Sequence, residues 1–213
     1  VIKIARKLGI TSPIQPVYSI CLGTPDLSVC EMTGAMSTYA NKGVYIEPTF
    51  ITRIEDKNGN IIQTFTPKRE DAISEETAYL MITLMKGVVE GGTGSSLRYT
   101  FKLSNQIAGK TGTTQNNSDG WFMGITPNLV TGVWVGCEDR SVHFRTTDLG
   151  QGAHMALPIW AMYMKKVYED KSLGVNTQEF EKPRKELSVE IDCAKYDAQH
   201  KNEEIINFDE FNQ

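Results

Sequence analysis

The stretch IAGKTGTTQNNSDGWFMGITP, residues 107–127, carries the short motif that decides the fold. Its segment Gly109-Lys110-Thr111 fits two different structures. In one, it ends a phosphate-binding loop that leads directly into a helix. In the other, Lys110-Thr111-Gly112 lies on an exposed strand that holds a peptide-like substrate. The two interpretations require different neighbours, so the surrounding sequence distinguishes them.

The phosphate-binding interpretation fails on both sides of the motif. A P-loop has the pattern Gly-x-x-x-x-Gly-Lys-Ser/Thr, but Ser104 occupies the position of the first glycine. The residues that follow Thr111, GTTQNNSDGW, begin poorly as a helix and lead to another strand. Without a helix N-terminus, no set of backbone N–H groups points at a phosphate. The sequence therefore argues against a nucleotide site.

The strand interpretation gives each residue of the motif a physical function. Side chains two residues apart share one face of a strand, so Thr111 and Thr113 would present their hydroxyls together. Gly112 between them leaves room for the close approach of a substrate backbone. Lys110 supplies a fixed positive charge. A peptide could then dock as an added strand, with Thr113 and Lys110 holding its C-terminal carboxylate.

The order of the other elements predicts an α+β fold. A helix with one apolar face (Met32, Ala35, Met36, Tyr39, Ala40) ends near Gly43. A hairpin with the turn Asn58-Gly59 follows, and a second helix begins at the N-cap Ser74. Strands are expected at residues 106–114, 120–126 and 129–137. This order is typical of an antiparallel sheet with helices packed on it, not of a parallel sheet.

A final helix is expected at residues 158–168, with Pro158 in its first turn, where proline is tolerated. Apolar side chains cover most of its circumference, so it should be well buried. These residues are Ile159, Trp160, Met162, Tyr163 and Val167.

The composition is that of a soluble globular protein. Of the 213 residues, 40% are hydrophobic and 23% are charged. The net charge of −4 gives no reason to expect a nucleic-acid partner. Residues 171–213 contain 10 acidic and 6 basic residues. We therefore predict a main domain at 1–170 and an acidic, partly ordered or mobile extension at 171–213, in which EKPRKELSVEID could supply an edge strand.

The four cysteines, Cys21, Cys30, Cys137 and Cys193, form no C-x-x-C pair, and no histidine stands at ligand spacing from them. No metal site or cofactor is therefore expected. Buried free thiols are the favoured interpretation, and a disulfide between Cys21 and Cys30 is the alternative. No apolar run reaches the roughly 18 residues that a membrane helix needs.

Four stretches occur in one order with natural spacing: VVEGGTGSSLR, IAGKTGTT, DGWFMGITPNLVTGVWVG and ALPIWAMYM. Together they resemble the transpeptidase domain of class A penicillin-binding proteins of the 1A type, over roughly residues 1–166. Lys-Thr-Gly is one of the motifs of that family. The resemblance implies a penicillin-binding protein/β-lactamase-like transpeptidase fold, of which residues 1–170 would be the C-terminal portion.

The resemblance also implies a function. Such enzymes attack a D-Ala-D-Ala stem peptide with an activated serine and pass the acyl group to a neighbouring stem, which cross-links peptidoglycan; β-lactams acylate the same serine. By this resemblance Lys110 is catalytic, and Thr111, Gly112 and Thr113 bind the substrate. The backbone N–H of Thr113 would be an oxyanion-hole donor. The implied location is the extracytoplasmic face of the bacterial inner membrane, with an anchor and a glycosyltransferase domain upstream.

Two motifs of the family are missing from this chain. No serine is followed three residues later by lysine, and no Ser-x-Asn motif occurs. The opening VIKIARKLGI also reads as the second half of an amphipathic helix. We therefore expect a longer parent protein that supplies the nucleophilic serine, and a fragment that is inactive alone. The missing N-terminal half of the domain is the expected partner, and self-association of the fragment through exposed faces is a further possibility.

Several other residues have structural interpretations. By the same resemblance, Asp119 and Trp121 should pack and position a strand, with catalysis as the disfavoured alternative. The turn at residues 91–94 should shape the domain behind the motif, with a gating role as the alternative. His143, His154 and His200 are expected to be ordinary histidines without a serine or acid partner.

Two alternatives stay open. A D,D-carboxypeptidase or serine β-lactamase shares Lys-Thr-Gly, although GVWVG followed by ALPIW disfavours both. A non-catalytic β-lactam sensor or cell-wall-binding module would keep the strand and lose turnover. The upstream sequence separates them, because a synthase would carry a glycosyltransferase domain there and a sensor a multi-span membrane region.

Overall fold

The computed structural model describes residues 1–175 and 177–200. The chain divides into two compact units, Val1–Lys182 and Pro183–Gln213. The helices of the first unit are α1 (Ile2–Lys7), α2 (Val29–Ala40), α3 (Glu75–Glu90), α4 (Ser96–Tyr99), α5 (Thr147–Gly150) and α6 (Gly152–Glu169). Its strands are β1 (Val44–Ile46), β2 (Arg53–Glu55), β3 (Ile61–Thr64), β4 (Arg69–Asp71), β5 (Ala108–Thr113), β6 (Asp119–Thr126) and β7 (Leu129–Gly136). The second unit contains α7 (Cys193–His200).

The largest sheet is an antiparallel meander in the order β5-β6-β7. Its register pairs Lys110 with Met123 and Thr113 with Gly120 across β5 and β6. The predicted strands at 106–114, 120–126 and 129–137 are thus confirmed, each within two residues at either end. The α+β fold predicted from the order of elements is confirmed as well.

Helices cover both faces of this sheet. On one face, Ala108 of β5 and Ile125 of β6 pack against Ile82 and Met85 of α3. On the other face, Phe122 of β6 packs edge-on against Trp160 of α6, with ring centroids 5.2 Å apart. Strand β6 therefore buries side chains in both directions, which explains why its sequence is apolar without a regular alternation.

One glycine makes the contact between α6 and the sheet possible. A Cβ on Gly124 would lie 2.2–2.5 Å from the indole ring of Trp160. Any side chain at this position would displace the largest fully buried side chain of the described residues. Gly124 thus lets α6 lie close to the centre of the meander.

Two smaller two-stranded sheets pair β1 with β4 and β2 with β3. The predicted hairpin is the β2–β3 pair, and Gly59 in its turn has a φ of +85°, which glycine adopts without strain. The predicted N-cap of α3 is also present, because Oγ of Ser74 accepts a hydrogen bond from the N–H of Thr77.

Helix α2 begins with a capping box. The Ser28 hydroxyl accepts from the N–H of Glu31, and the Glu31 carboxylate accepts from the N–H of Ser28. The same carboxylate also accepts hydrogen bonds from the backbone and the hydroxyl groups of Thr11 and Ser12. The Ser12 hydroxyl is the main cause that lowers the pKa of Glu31 far below its usual range. Glu31 therefore fastens the segment after α1 to the start of α2.

The prediction for the last helix was wrong in its start and in its burial. Helix α6 begins at Gly152, six residues before the predicted start, so Pro158 lies inside it. Proline normally interrupts a helix interior, but the preceding turn is held by three buried side chains (Met155, Ala156, Leu157). Packing against the sheet therefore overrides the local preference of proline.

Only one side of α6 is buried. Trp160 is fully buried and Val167 is 4% exposed, whereas the other predicted core residues are half-exposed: Ile159 45%, Met162 55% and Tyr163 49%. A helix that packs on one face of a sheet leaves its opposite side in solvent, even where that side is apolar.

Two further expectations outside the meander were wrong. Cys21, Cys30, Cys137 and Cys193 are free but exposed, so neither buried thiols nor the Cys21–Cys30 disulfide is found. The segment EKPRKELSVEID, residues 181–192, forms no strand. It is rich in charge and finds no partner strand in the part of the chain that the structure describes. The predicted division at residues 1–170 and 171–213 stays a prediction.

Candidate functional site

The Lys-Thr-Gly motif lies at an edge of the meander. Strand β5 pairs only with β6 among the described strands, so its other edge is open. An edge strand presents backbone N–H and C=O groups that can pair with an added strand. The structure therefore places the motif where a peptide in extended conformation can dock. The open edge that docking of an added strand requires is thus confirmed, and the neighbour of β5 on the other side is the strand that begins at Asp119.

The three residues of the motif and the Thr113 that follows it divide between the two faces of the sheet. Thr113 contacts α6 through its side chain, and Thr111 shares that face because it lies two residues away. Lys110 and Gly112 belong to the opposite face, on which Ala108 packs against α3. The predicted shared face of the two threonine hydroxyls is thus present.

Lys110 is exposed, and its Nζ donates a 2.6 Å hydrogen bond to the backbone carbonyl of Thr111. This bond folds the ammonium group back over the strand that carries it. The side chain has no carboxylate within ion-pair distance among the described residues, so its positive charge is available to an anion at the edge of β5.

The hydroxyl of Thr113 has a partner that the sequence did not predict. Its Oγ1 accepts a 3.0 Å hydrogen bond from the backbone N–H of Gly152, the first residue of α6. A hydroxyl has one hydrogen to donate and two lone pairs to accept with. Because Thr113 uses a lone pair for Gly152, its own hydrogen remains free to donate to a ligand.

The approach of α6 to the motif requires a residue without a side chain at position 152. A Cβ on Gly152 would lie 2.3 Å from the carbonyl oxygen of Gly112 and 2.4 Å from that of Trp121. Both are backbone atoms, so they cannot move aside as a flexible side chain would. A glycine at the start of a helix, in the sequence GQGAHMALPIW, was the available signal for this contact.

The hydroxyl of Thr111 also has a partner. Its Oγ1 lies 2.7 Å from Oγ1 of Thr93, in the loop between α3 and α4. Either oxygen can be the donor in this pair. Both threonine hydroxyls of β5 are therefore held from outside the strand, one by a loop and one by a helix N-terminus.

The turn that joins β5 to β6 is built by polar side chains. Oγ1 of Thr114 lies 2.9 Å from Oγ of Ser118 and accepts a 3.1 Å hydrogen bond from the N–H of Asp119. Asn116 and Asn117 both have positive φ, at 58° and 55°, a conformation that asparagine tolerates better than most residues. The sequence QNNS thus encodes a tight connection that fixes the end of the motif strand.

Trp121 serves the packing of β6, as predicted, whereas the role of Asp119 stays a prediction. Trp121 stands opposite Gly112, and its ring is tilted by 59° against Trp134 at a centroid distance of 6.5 Å. A Cβ on Gly112 would lie 3.1 Å from Cβ of Trp121, so glycine lets the two strands lie close together. Oδ1 of Asp119 is buried and has no hydrogen-bond partner within residues 1–175 and 177–200.

One histidine departs from the prediction. Nδ1 of His154 lies 3.4 Å from the Asp148 carboxylate, so it has an acid partner, which was not expected. Nδ1 of His143 contacts the carbonyl of Phe144, and the side chain of His200 lies outside the described residues. Both members of the His154–Asp148 pair are exposed, which is unlike the buried acid that orients a catalytic histidine.

Within the described residues, no group of three or more His, Cys, Asp or Glu side chains is placed to hold a metal ion. None of the helices in that part of the chain is long and apolar enough to cross a membrane.

The sequence profile of one protein family, described as "Penicillin binding protein transpeptidase domain", matches residues 17–143. Among curated proteins, penicillin-binding protein 1A of Aquifex aeolicus is 34% identical over 194 residues. The alignment covers 90% of this chain and 25% of that protein. The chain thus spans about a quarter of the length of this relative.

Solved structures of penicillin-binding proteins share the fold of this chain. Penicillin-binding protein 1A from Haemophilus influenzae superimposes with a TM-score of 0.71 at 23% identity, covering 84% of this chain and 31% of that chain. The PonA1 protein from Mycobacterium tuberculosis, in complex with penicillin V, gives a TM-score of 0.71 at 25% identity, covering 86% of this chain and 52% of that chain.

Proposed function

This chain belongs to the penicillin-binding protein transpeptidase domain family, and from that membership we propose that it forms one wall of the active site of a peptidoglycan D,D-transpeptidase of the 1A type. The observation that carries the proposal is the edge strand β5, on which Lys110 supplies a positive charge and Thr111 and Thr113 present hydroxyls on one face. Such a strand suits a peptide that ends in a carboxylate, as the D-Ala-D-Ala stem does.

In this proposal the stem peptide docks along the open edge of β5 as an added strand. The hydroxyls of Thr111 and Thr113 donate hydrogen bonds to the terminal carboxylate, and the Lys110 ammonium group adds electrostatic attraction. Hydrogen bonds to a charged group are individually worth about 1.5–3 kcal/mol. The absence of a side chain on Gly112 keeps the strand accessible to the peptide backbone.

The reaction needs a serine that stands outside this chain, because none of its serines has the spacing Ser-x-x-Lys. A longer parent protein would supply it, as expected for a chain that spans about a quarter of a relative's length. The serine oxygen attacks the carbonyl carbon of the penultimate D-Ala, and the terminal D-Ala leaves as a free amino acid. An amine of a second stem then attacks the acyl-serine ester, forms the cross-link and releases the serine.

Two groups of this chain would stabilise the transition state. The N–H of Thr113 would donate to the oxyanion that forms on the attacked carbonyl. Lys110 directly follows the buried residues Ala108 and Gly109, which fix its backbone in the sheet. Its ammonium group would lie beside the serine and lower the free-energy cost of deprotonating the serine hydroxyl. A β-lactam would be attacked at its ring carbonyl by the same serine, consistent with the penicillin V complex of the PonA1 protein.

The parent would act on the extracytoplasmic side of the bacterial inner membrane, where peptidoglycan lies, with its anchor and a glycosyltransferase domain upstream of this chain. The N-terminal part of its own domain would be the immediate partner of the surface around β5.

Labelling with a fluorescent penicillin tests the proposal. The full-length parent should become covalently labelled, and the 213-residue chain alone should not, since hydrogen bonds to a carboxylate support only reversible binding. Label that survives denaturation and maps to a serine of this chain would contradict the assignment of the nucleophile. A folded parent that takes up no label would contradict the function itself.

A further inference from the structure

The loop between α3 and α4 reaches the motif strand through one side chain. Oγ1 of Thr93 lies 2.7 Å from Oγ1 of Thr111, a distance typical of a hydrogen bond between hydroxyls. The two residues are 18 positions apart in the sequence. From the sequence, no hydrogen bond is assigned to Thr93 in the turn at residues 91–94, so this contact brings a further residue to the site.

The loop holds Thr93 in a defined position. The N–H of Gly94 donates a 2.9 Å hydrogen bond to the carbonyl of Val88, and the N–H of Ser95 donates to the carbonyl of Gly92 at 3.1 Å. A Cβ on Gly92 would lie 2.9 Å from Cα of Val88. The glycines on either side of Thr93 thus let the loop lie directly against the last turn of α3.

Arg98 braces the same loop against the segment that leads into β5. Its guanidinium group donates a 2.6 Å hydrogen bond to the Glu90 carboxylate at the end of α3 and a 2.8 Å hydrogen bond to the carbonyl of Asn105. The hydrogen bond from Arg98 lowers the pKa of Glu90, which keeps this carboxylate charged. The position of Thr93 relative to β5 is therefore fixed at both ends of the loop.

The chemistry of a bound carboxylate determines the direction of the Thr93–Thr111 hydrogen bond. A carboxylate only accepts hydrogen bonds, so Thr111 must donate its single hydrogen to the ligand. Thr93 must then be the donor to Thr111. Hydrogen bonds in such a series polarise one another, so the donation from Thr93 makes Thr111 a better donor and holds its hydroxyl in one rotamer.

We propose that Thr93 is a positioning residue for carboxylate recognition, which acts through the hydroxyl of Thr111. This inference rests on the proposed function and adds to it a residue that selects for ligands with a free carboxylate. Thr93 would donate a hydrogen bond to the hydroxyl oxygen of Thr111, just as the N–H of Gly152 donates one to the hydroxyl oxygen of Thr113. In both cases the hydroxyl hydrogen of the β5 threonine stays available to the ligand.

Loss of this hydrogen bond should reduce acylation by roughly three- to tenfold, as expected for one hydrogen bond at an exposed site. The reduction should depend on the carboxylate of the ligand. Valine has nearly the shape of threonine and lacks the hydroxyl, so Thr93→Val removes the donor and little else. Thr93→Ser keeps the donor and loses only a methyl group.

The experiment measures the second-order rate constant of acylation in the full-length parent, with penicillin and with its methyl ester. The variants are Thr93→Val, Thr93→Ser and, as a matched control, Thr100→Val. Thr100 is exposed at the end of α4, and its hydroxyl makes no hydrogen bond with any described residue. A double-mutant cycle that combines Thr93→Val with Thr111→Val measures the coupling between the hydroxyls of Thr93 and Thr111.

The expected result is a reduced rate with penicillin for Thr93→Val, an unchanged rate with the ester, and rates near wild type for Thr93→Ser and Thr100→Val. In the Thr111→Val background, Thr93→Val should have no further effect. An equal loss with penicillin and ester, or the same loss for Thr93→Ser, would overturn the inference and leave the proposed function standing. A wild-type parent that is not acylated would refute the proposed function and, with it, this inference.

Discussion

The backbone N–H of Gly152 donates a 3.0 Å hydrogen bond to Oγ1 of Thr113, which joins the first residue of α6 to the edge strand of the meander. The two residues are 39 positions apart in the sequence. This bond, together with the contact of Gly152 with the carbonyl oxygens of Gly112 and Trp121, fixes the distance between the helix and the strand.

Gly152→Ala should reduce acylation of the full-length parent by penicillin about tenfold or more. The added Cβ would lie 2.3 Å from the Gly112 oxygen, so α6 must move away from β5 and the bond to Thr113 lengthens. Overpacking of this kind costs about 1–3 kcal/mol. The acylation rate and the thermal midpoint measure the two effects. Gly87→Ala is the control, because outside the adjacent backbone of α3 no atom lies within 4 Å of a Cβ at that position. Equal rates for Gly152→Ala and wild type would contradict the prediction.

Lys110→Ala should slow acylation of the parent by a factor on the order of a hundred or more, the usual effect of losing one electrostatic contact to a transition state. The exposed position of Lys110 at the edge of β5 means that the fold should not change. Fluorescent-penicillin labelling over time gives the rate. Lys57→Ala, which removes the same charge from the turn of the separate β2–β3 hairpin, should label at the wild-type rate. Normal labelling of the Lys110 variant would refute its assigned role.

Thr113→Val should weaken acylation about ten- to a hundredfold, whereas Thr113→Ser should stay close to wild type. Valine removes the hydrogen donated to the ligand and also leaves the N–H of Gly152 without its acceptor, which costs about 1–3 kcal/mol for a buried group. Saturation kinetics should show the loss mainly in the concentration of β-lactam needed for half-maximal rate. Equal rates for the serine and valine variants would contradict the prediction, because the hydroxyl that serine keeps and valine lacks would then make no difference.

Glu31→Gln should lower the free energy of unfolding by about 1–2 kcal/mol at pH 7, because glutamine cannot accept all the hydrogen bonds that Glu31 accepts from Thr11, Ser12 and Ser28. Folding lowers the pKa of this carboxyl. Its contribution is therefore complete above the pKa of an unfolded glutamate, about 4.3, and is lost as the pH falls further.

Urea unfolding of the 213-residue chain between pH 3 and pH 7 tests this dependence. The difference between wild type and Glu31→Gln should shrink below about pH 4. The exposed Glu138, replaced by glutamine, serves as the control and should leave stability unchanged across the range. A difference for Glu31→Gln that is constant over the whole range would show that its charge is not involved.

Much of the fold was predictable because its signals are local. The pair Asn58-Gly59 determined a hairpin turn, and the N-cap Ser74 determined the start of α3. The two residues Pro127-Asn128, which are typical of a tight turn, likewise separate β6 from β7. In each case the interacting groups are only a few residues apart, so the sequence pattern contains the interaction itself.

Local sequence patterns did not predict which side chains of α6 are buried or where this helix begins. An apolar side chain on a helix is buried only if its side of the helix meets the sheet, and Ile159, Met162 and Tyr163 lie on the other side. The start of α6 was missed because contacts with β6, which come from residues about 30 positions earlier, stabilise a turn that Pro158 would otherwise disfavour.

The sequence by itself determined that Lys110, Thr111, Gly112 and Thr113 lie on one strand, with the two hydroxyls on one face, because a strand has a period of two. Only the tertiary structure decided that Thr93 and Gly152 hold its hydroxyls. Those partners lie 18 and 39 residues away, and the chain brings them together only when α3 and α6 pack on opposite faces of the sheet. Local patterns carry no information about which distant groups such packing joins.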